Sequence, residues 1–397
     1  MKICGIVAEY NPFHKGHAYQ IEMARKAGAT HVMAVMSGNF VQRGAPAMAE
    51  KHLRAKMALL GGADLVIELP LPFSLASAEA FARGAVSLMQ QSGCVDMISF
   101  GAEDDQAALT AALQGLLSPR FDELLQAELK KGDSYAAART RAVAAIAGDT
   151  AAQVLTKPNN ILGVEYQKAA AKLDFHPQFV PVKRVGADHD SDLGCGGYLS
   201  ASRIRALIEE GSTLEAKSAI PDDSWPILEQ ALASAQAPVT GKKLEQAVLS
   251  ALRRLSAADL SRLPDMREGL ENRFYGAVRQ ASSLDELYGL IRSKRYPEAR
   301  ARRMVWQAFL GVAETLQRSC PPYIRVLGMN RKGEEILRAI KEKGSLPVSA
   351  SLLRLAETSP EAKAFADLEA AAADQYVLGM PQILPCGYDL TAAIVKE

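Results

Sequence analysis

EYNPFHKGHAYQ, residues 9–20, joins an apolar run of strand length, Ile3–Ala8, to the helical pattern Ala18–Ala27. Inside this turn, residues 14–17 form the pattern H-x-G-H. The expected helix directs its free N–H groups and the positive end of its dipole into the turn, where an anion would lie. The stretch therefore predicts a βα turn that binds a phosphate group.

The side chains of the turn favour chemistry on that phosphate. The imidazoles of His14 and His17 and the ammonium of Lys15 can bind phosphate and stabilise charge on a leaving pyrophosphate. Gly16 has no Cβ, which would let a ligand approach the backbone. We predict His14, Lys15 and His17 as catalytic residues. The alternative is that both histidines are surface residues of an ordinary βα turn.

The first half of the chain alternates strand-length apolar runs with helical patterns. The runs are Ile3–Ala8, His31–Met36, Leu65–Leu69, Val95–Phe100 and Gln178–Lys183, and the helical patterns are Ala18–Ala27, Glu50–Leu60, Leu75–Gln91 and Gln106–Leu117. Nearly continuous apolar strands separated by helices predict an α/β fold with a Rossmann-like, doubly wound parallel sheet. Ligands of such sheets bind beyond the carboxyl ends of the strands, which is where the polar motifs of this chain occur.

Two polar loops follow predicted strands. In SGNFVQRG, residues 37–44, the side chains of Asn39, Gln42 and Arg43 offer hydrogen-bond donors, and Arg43 can hold a carboxylate or phosphate bidentately. Gly101, at the end of the fourth strand, would let an adenine or ribose approach the backbone. An ordinary polar βα loop and a plain strand-end turn are the alternatives.

Three later motifs also fall at expected ligand edges. KPNN, residues 157–160, opens a helix that one asparagine can cap while the other faces the ligand. Arg184 closes the next strand, where the alternative is a surface arginine. Ser202 and Arg203, in LSASRIR at residues 199–205, begin a further helix whose serine cap and arginines predict a second phosphate site.

The motifs share their order with one known family. GIVAEYNPFHKGH (5–17), MSGNFVQRGAPA (36–47), FGAE (100–103), KPNNILGVEY (157–166) and SASRIR (200–205) resemble the bacterial tRNA(Met) cytidine acetate ligases, within the H-I-G-H superfamily of adenylate-forming enzymes. SASRIR is similar to the I-S-S-T-x-I-R signature of nucleotidyltransferases, with Ala201 in one hydroxyl position. The resemblance implies an ATP-dependent ligase that activates acetate as acetyl-adenylate. The acetyl group would pass to N4 of the wobble cytidine of elongator tRNA(Met), forming N4-acetylcytidine.

The resemblance also implies a set of nucleotide contacts, with ATP as co-substrate and Mg²⁺ carried with it. The implied ATP-binding residues are Val7, Ala8, Glu9, Tyr10, Asn11, Pro12, Phe13, His14, Lys15, Gly16, His17, Ala18, Tyr19, Gln20, Gly101, Asn159, Asn160, Arg184, Ser202 and Arg203.

The later part of the chain is basic and mostly helical in pattern. Lys242–Lys343 holds 21 Lys and Arg against 12 Asp and Glu, a balance of +9, although the whole chain carries only +1. This asymmetry indicates a surface for a polyanion, while solvated helix faces are the alternative. Candidate tRNA contacts are Arg292, Lys294, Arg295, Arg302 and Arg303, with Tyr296 and Trp306 available to stack on bases.

The pattern divides the chain into two regions. Residues 1–215 are expected to form the ATP-binding catalytic domain, with a helical insertion at about 119–149, and residues 216–397 a mostly α-helical, probable tRNA-binding region. Pro221–Pro226 is expected to be a linker, and Tyr323–Leu327 one late strand.

Composition argues against a disulfide-rich, zinc-binding or membrane protein. The five cysteines are scattered and never C-x-x-C, which fits reduced thiols in a cytoplasm and gives no zinc pattern. No apolar run approaches a membrane span, the N-terminus shows no signal peptide, and we predict a cytoplasmic protein without a membrane or obligate protein partner. Asp188–Asp192 is interpreted as a solvated loop, so no metal site is predicted.

Two other functions remain open on the residues. A nucleotidyltransferase that joins AMP to a phosphorylated metabolite, as in coenzyme A or NAD synthesis, would explain H-x-G-H and SASRIR but would leave the basic region without a task. A non-catalytic RNA-binding factor would keep the nucleotide fold as a scaffold only.

Overall fold

The computed structural model describes residues 1–183, 198–264, 266, 269–293 and 295–397. Arg184, Asp188–Asp192 and Lys294 lie outside the described residues.

The described residues form one main sheet with a small hairpin beside it. The strands are β1 (Ile3–Ala8), β2 (His31–Ser37), β3 (Phe40–Val41), β4 (Ala45–Pro46), β5 (Leu65–Leu69), β6 (Met97–Ala102), β7 (Gln178–Lys183), β8 (Ile324–Met329), β9 (Val348–Ser349) and β10 (Val395–Lys396). The sheet order is β10-β8-β5-β2-β1-β6-β7, β9 pairs with β8, and β3 pairs with β4 in the separate hairpin. Neighbours among β5, β2, β1, β6 and β7 are parallel.

Helices connect these strands and form most of the later chain. Before β7 they are α1 (Lys15–Lys26), α2 (Lys51–Leu60), α3 (Leu71–Ser74), α4 (Ala78–Gln91), α5 (Gln106–Leu117), α6 (Phe121–Lys130), α7 (Tyr135–Ala147), α8 (Asp149–Val154) and α9 (Pro158–Lys172). After β7 they are α10 (Ala201–Glu209), α11 (Thr213–Ser218), α12 (Trp225–Ala233), α13 (Gly241–Arg253), α14 (Ala257–Leu260), α15 (Leu270–Gln280), α16 (Leu284–Ile291), α17 (Glu298–Leu310), α18 (Glu314–Arg318), α19 (Arg331–Lys343), α20 (Leu352–Ala356), α21 (Pro360–Val377) and α22 (Tyr388–Thr391). None of the helices in the described part of the chain combines the length and apolar character that crossing a bilayer requires.

Both faces of the parallel sheet are buried, which confirms the predicted doubly wound α/β fold. Successive strand residues enter different cores: Ile3 belongs to one apolar cluster, and Cys4 and Ile6 belong to the cluster on the other face. The alternation follows from the two-residue period of a strand. The order of strands reverses between β1 and β6, and ligands bind at such switch points. The turn after β1, with the H-x-G-H pattern, therefore lies at the topological switch.

The C-terminal chain returns to the sheet. The predicted late strand is observed as β8, which pairs antiparallel with β5, and β10 then pairs parallel with β8. The sheet therefore includes strands from both parts of the sequence.

A third apolar cluster joins the later helices and includes Trp306, whereas Trp225 belongs to the same cluster as Cys4 and Ile6. Two predictions about the later chain fail because of this packing. Trp306 is 1% exposed and its Nε1 donates to the Tyr288 hydroxyl, so it is a core residue and not a stacking platform for bases. Pro221–Pro226 is not a linker, because Trp225 is buried and the hydroxyl of Ser224 donates to the carbonyl of Met57 in α2 at 2.9 Å. Burial of the large indole holds this segment against α2 in the first half of the chain.

Candidate active site

The H-x-G-H pattern forms the first turn of α1, which begins at Lys15 and not at the predicted Ala18. His14 is the N-cap: its Nδ1 accepts the Gly16 N–H at 3.0 Å, and the His14 N–H donates to Nδ1 of His17 at 3.2 Å. Ser, Thr, Asp and Asn are the usual caps, so a sequence rule based on them misses this start. Since Nδ1 of each ring accepts a hydrogen bond from a backbone N–H, the ring proton of each histidine lies on Nε2. Both imidazoles are therefore neutral Nε2–H donors in this arrangement.

The glycine of the pattern makes room for a histidine ring. A Cβ on Gly16 would lie 2.9 Å from Cε1 and 3.0 Å from Nδ1 of His14, closer than real Cβ contacts. The space that we assigned to a ligand is thus occupied by the imidazole of the cap. Gly16 is required so that His14 can fold back over the helix start.

Aromatic rings fix the orientation of His17. Its ring stacks on His14 with a centroid distance of 3.7 Å and meets the edge of Tyr10 at 4.9 Å. Phe13 packs against both Tyr10 and His17, and its ring fills the space beside Gly61, where a Cβ would lie 2.1 Å away. Tyr10 adopts the left-handed region at φ +45°, which is strained for a residue with a side chain. Burial of this tyrosine compensates for that strain and keeps the turn in one shape.

The predicted ATP-binding stretch divides into buried and accessible residues. Tyr10, Asn11, Pro12 and Phe13 are buried and hold the turn, whereas Lys15 is exposed. The half-buried residues are Val7, Ala8, Glu9, His14, Gly16, His17, Ala18, Tyr19 and Gln20. Asn11 accepts the Met48 N–H at 2.8 Å, and Gln20 donates to the Ser99 carbonyl of β6 at 3.1 Å. The accessible part of the stretch is therefore the helix start itself.

Two arginines that the pattern did not assign to ATP donate to backbone carbonyls of the turn. Arg54 is fully buried, and Nη1 donates to the carbonyls of Glu9 at 2.6 Å and Ser37 at 3.1 Å. Arg205 Nη1 donates to the carbonyl of Asn11 at 2.7 Å. Burial lowers the pKa of Arg205. The Glu9 carboxylate raises this pKa, and the positive charge of Arg43 lowers it further. The second arginine of SASRIR, and not the first, thus reaches the H-x-G-H turn.

The remainder of SASRIR is placed differently from its prediction. Ser200 caps α10 by accepting the Arg203 N–H at 3.2 Å, and the exposed Ser202 lies 3.0 Å from it, oxygen to oxygen. The guanidinium of Arg203 lies 3.6 Å from Glu210 and 3.8 Å from Glu215. Arg203 therefore forms ion pairs along its own helix and the next, while Ser202 stays accessible.

The end of β6 is tied to the start of α9. Glu103 accepts the backbone N–H groups of Asn159 at 3.3 Å and Asn160 at 2.9 Å, and also the Asn159 amide at 2.6 Å. Asn160 is fully buried, and its oxygen accepts the N–H groups of Glu103 and Asp104. Neither asparagine side chain caps its own helix, contrary to the prediction, because the Glu103 carboxylate already occupies the helix start. Asn160 has a structural role, while the half-buried Asn159 lies beside the equally half-buried Gly101 edge.

The SGNFVQRG turn is also partly structural. Asn39 is buried, its amide donates to Tyr388 at 2.5 Å, and its oxygen accepts the Lys51 N–H at 3.0 Å. The Gln42 N–H donates to the Glu9 carboxylate at 2.9 Å. Arg43 remains exposed at the tip of the β3–β4 hairpin. Of the three predicted donors, Arg43 is the accessible one.

A buried ionic cluster lies against the SGNFVQRG turn. Lys51 Nζ lies 2.7 Å from Glu68 and 2.8 Å from Asp389, and Arg325 lies 3.0 Å and 2.8 Å from the same two carboxylates. These four side chains are at most 2% exposed. Although burial opposes it, Lys51 and Arg325 hold the pKa of Asp389 well below its usual range. A Cβ on Gly38 would lie 2.6 Å from Glu68, so the turn rests directly on the cluster.

The predicted tRNA contacts lie at and around α17. Arg292 and Arg295 are exposed, Arg303 is half-buried, and Arg302 lies 2.8 Å from Glu298 with its guanidinium 4.5 Å from the Tyr288 ring centroid. The ring of Tyr296 faces Arg300 at 4.9 Å. Arg292 and Arg302 both lie near Glu298, and α17 meets the β3–β4 hairpin at Gly44, beside Arg302 and Arg303.

No cluster of three or more His, Cys, Asp or Glu that could hold a metal occurs within the described residues. The described geometry supplies neutral imidazole donors, a helix N-terminus and nearby guanidinium groups, which suits an enzyme that binds a polyphosphate.

Comparison with known proteins agrees with this geometry. The chain matches the model of the HIGH Nucleotidyl Transferase family over residues 1–385. It is 36% identical over 403 residues to the tRNA(Met) cytidine acetate ligase of Caldanaerobacter subterraneus subsp. tengcongensis, with 100% of both chains covered. It is 39% identical over 368 residues to the enzyme of that name from Clostridium kluyveri, covering 89% of this chain and 90% of the relative.

Solved structures of a protein of this kind have the same fold as this chain. The crystal structure of Thermotoga maritima TmcAL bound with alpha-thio ATP superposes with a TM-score of 0.92 at 32% identity, covering 100% of both chains. The apo form gives a TM-score of 0.93 at 32% identity, covering 100% of this chain and 99% of the other. The chain therefore belongs to the HIGH nucleotidyltransferase family and, within it, to the tRNA(Met) cytidine acetate ligases.

Proposed function

We propose that this chain is an ATP-dependent ligase that acetylates N4 of the wobble cytidine of elongator tRNA(Met). The observation that supports it most is the His14–Gly16–His17 turn at the topological switch, in a chain that matches acetate ligases over its full length. The turn accounts for cleavage of ATP, and the family accounts for the acyl acceptor.

In the first step an acetate oxygen attacks the α-phosphorus of ATP. The bond from that phosphorus to the bridging oxygen breaks, giving acetyl-adenylate and pyrophosphate. The Nε2–H groups of His14 and His17 donate to phosphate oxygens, and Lys15 adds positive charge. Catalysis then consists of positioning and electrostatic stabilisation rather than covalent chemistry by the protein.

Mg²⁺ accompanies ATP in this proposal and neutralises charge on its phosphates. Gly101 and Asn159 lie beside the nucleotide at the end of β6, and Ser202 faces the pyrophosphate. Arg205, through its bond to the Asn11 carbonyl, keeps the turn in the geometry that the reaction needs.

In the second step N4 of cytidine attacks the acetyl carbon. The bond to the adenylate oxygen breaks, AMP leaves, and the amine loses a proton. The lone pair of a cytosine amine is delocalised into the ring, so it requires an acyl donor as reactive as an adenylate. We place the tRNA on the basic surface around α17, with residues 1–215 as the catalytic part and 216–397 as the tRNA-binding part. The enzyme acts in the cytoplasm without an obligate protein partner.

Exchange of labelled pyrophosphate into ATP tests this proposal. The purified protein should catalyse exchange only when acetate is present, and should acetylate cytidine in tRNA(Met), detected by mass analysis of nucleosides. Exchange driven by a phosphorylated metabolite in place of acetate would indicate a nucleotidyltransferase. The absence of any exchange, with tRNA still bound, would indicate a non-catalytic RNA-binding factor.

A further inference from the structure

The β3–β4 hairpin connects the catalytic turn to the basic helix α17. On one side, the Gln42 N–H donates to the Glu9 carboxylate at 2.9 Å. On the other side, Gly44 adopts φ +75°, and a Cβ there would lie 2.6 Å from the backbone nitrogen of Arg303. The hairpin is therefore held between the two parts that the proposed reaction must bring together.

The base of the hairpin is rigid. Phe40 is fully buried, and its ring lies 5.6 Å from Trp306 of α17 and 5.9 Å from Tyr376 of α21, centroid to centroid. The Gly44 N–H donates to the Val41 carbonyl at 2.9 Å and closes a tight three-residue turn. The tip cannot move far from α17 without breaking this packing.

Arg43 occupies the tip, and its charge is placed next to another cation. Within the described residues, Arg43 has no hydrogen-bond or ion-pair partner, and its side chain is exposed. Burial lowers the pKa of Arg205 and the positive charge of Arg43 lowers it further, while the Glu9 carboxylate raises it. The exposed guanidinium of Arg43, held at the tip of the hairpin, presents a positive charge that attracts an anion.

We propose that Arg43 binds a backbone phosphate of the RNA next to the target nucleotide, so that the hairpin aligns the RNA with the adenylate. This inference rests on the proposed function. A guanidinium can form two parallel hydrogen bonds to phosphate oxygens, which positions the RNA without recognising its base sequence. Arg302 and Arg303 of α17 lie directly against Gly44, the residue after Arg43. Successive phosphates of one RNA strand can therefore contact α17 and then the tip of the hairpin. Arg43 is then a positioning residue at the junction of the two parts.

The same guanidinium chemistry would also suit a phosphate of ATP or the carboxylate of acetate. Two measurements separate these sources. Acetate-dependent pyrophosphate exchange involves ATP and acetate alone, whereas acetylation at varied tRNA concentration also involves the RNA. Both are made on the full chain.

The variants are Arg43→Gln and Arg43→Lys, with Arg338→Gln as the matched control. Arg338 is an exposed arginine on α19, which follows β8 and begins beside Asp64 at the opposite edge of the sheet. For Arg43→Gln we expect kcat/KM for tRNA to fall by on the order of tenfold, the loss of one charged hydrogen bond. The slope of log K for tRNA against log salt should fall by about 0.7 to 0.9. Arg43→Lys should recover the salt slope but not the full kcat/KM, since it keeps the charge and loses the fork.

Exchange without tRNA should keep its wild-type KM for ATP and for acetate in both variants. If exchange falls in the same proportion as acetylation, Arg43 binds ATP or acetate and the inference is wrong. If neither reaction nor the salt slope changes, Arg43 faces only water, and the inference is equally wrong. Failure of the wild-type protein in either reaction bears instead on the proposed function.

Gly44→Ala gives a second test that leaves Arg43 in place. Its Cβ would collide with the backbone of α17, so the hairpin must shift. We expect tRNA acetylation to fall more than exchange, in a protein whose thermal melting is measured alongside. Equal losses in both reactions at an unchanged melting temperature would contradict the hairpin's role in placing RNA.

Discussion

The imidazole rings of His14 and His17 lie 3.7 Å apart, centroid to centroid, and 21° from parallel. Their reciprocal bonds to the backbone make both rings part of the helix cap. Removal of either ring therefore changes structure and chemistry together. Experiments on this site must separate the two effects.

His14→Asn separates capping from catalysis. Asparagine is a good N-cap, so its oxygen should accept the Gly16 N–H and hold the free energy of unfolding within about 0.5 kcal/mol of wild type. It lacks the Nε2–H donor, so the rate of acetate-dependent exchange should fall on the order of 10²–10³-fold. The control is His176→Ala, at an exposed histidine paired with Asp174, which should change neither quantity. Wild-type exchange in His14→Asn would mean that His14 is only a cap.

Gly16→Ala should reduce activity although helix propensity favours alanine. The new Cβ would approach the His14 ring to 2.9 Å and displace the imidazole, and a misplacement of about 1 Å costs up to about 10²-fold in rate. Gly276→Ala is the control, because nothing lies within 4 Å of its Cβ in α15. That change should stabilise the protein by about 0.5 to 1 kcal/mol and leave exchange unaltered. Full activity in Gly16→Ala would show that the position of His14 does not matter.

Arg325→Met should destabilise the protein by about 3 to 5 kcal/mol. The change leaves Glu68 and Asp389 buried with one cation fewer, and an uncompensated buried charge is far more costly than a lost surface pair. Lys363→Met removes an exposed pair with Asp367 in α21 and should cost about 0.5 kcal/mol or less. Urea unfolding of both variants measures the difference. Similar small losses would mean that water reaches the cluster.

Glu369→Gln should alter how stability depends on pH. Burial, reinforced by Glu68, raises the pKa of Glu369 from 4.5 to about 8. Between these values the folded state holds a proton that the unfolded state has lost. The stabilisation is therefore fully present below pH 4.5 and is lost as pH rises through about 8, by up to about 1.4 kcal/mol per pH unit.

Glutamine stays neutral and can still accept the Leu71 N–H, so the variant should lose less stability than wild type as pH rises over this window. The exposed Glu357→Gln is the control and should follow the wild-type curve. Parallel curves for Glu369→Gln and wild type would show that Glu369 is already ionised in the folded protein.

A fragment ending at Ala219 should fail to fold. It lacks Arg325 and Asp389, which leaves Lys51 and Glu68 paired only with each other inside the protein, and it exposes the edge of β5. Circular dichroism and thermal melting of the fragment would test this. A cooperative transition with retained exchange would show that the nucleotide site is autonomous.

The sequence alone predicted the parallel sheet, because both faces of its strands are apolar and the alternation with helices is a local pattern. β1, β5 and β7 have the bounds that were predicted, and α1 begins three residues earlier than predicted because a histidine caps it. The motifs also identified the family, since their wording and order resemble those of the tRNA(Met) cytidine acetate ligases. The assignment of Trp306 to the surface was wrong because an indole in a helix has the same sequence pattern in either environment.

Tertiary structure decided which side chains pair in the core and which reach the H-x-G-H turn, through contacts between residues far apart in sequence. Arg325 reaches Glu68 across 257 residues of sequence, and Asp389 reaches Lys51 across 338. No periodicity or spacing encodes such pairs, because each is favourable only after the chain has excluded water from both partners. The same holds for SASRIR, where sequence indicates two arginines near a phosphate. Only the packing of α10 determines that Arg205 reaches the H-x-G-H turn while Arg203 pairs with Glu210 and Glu215.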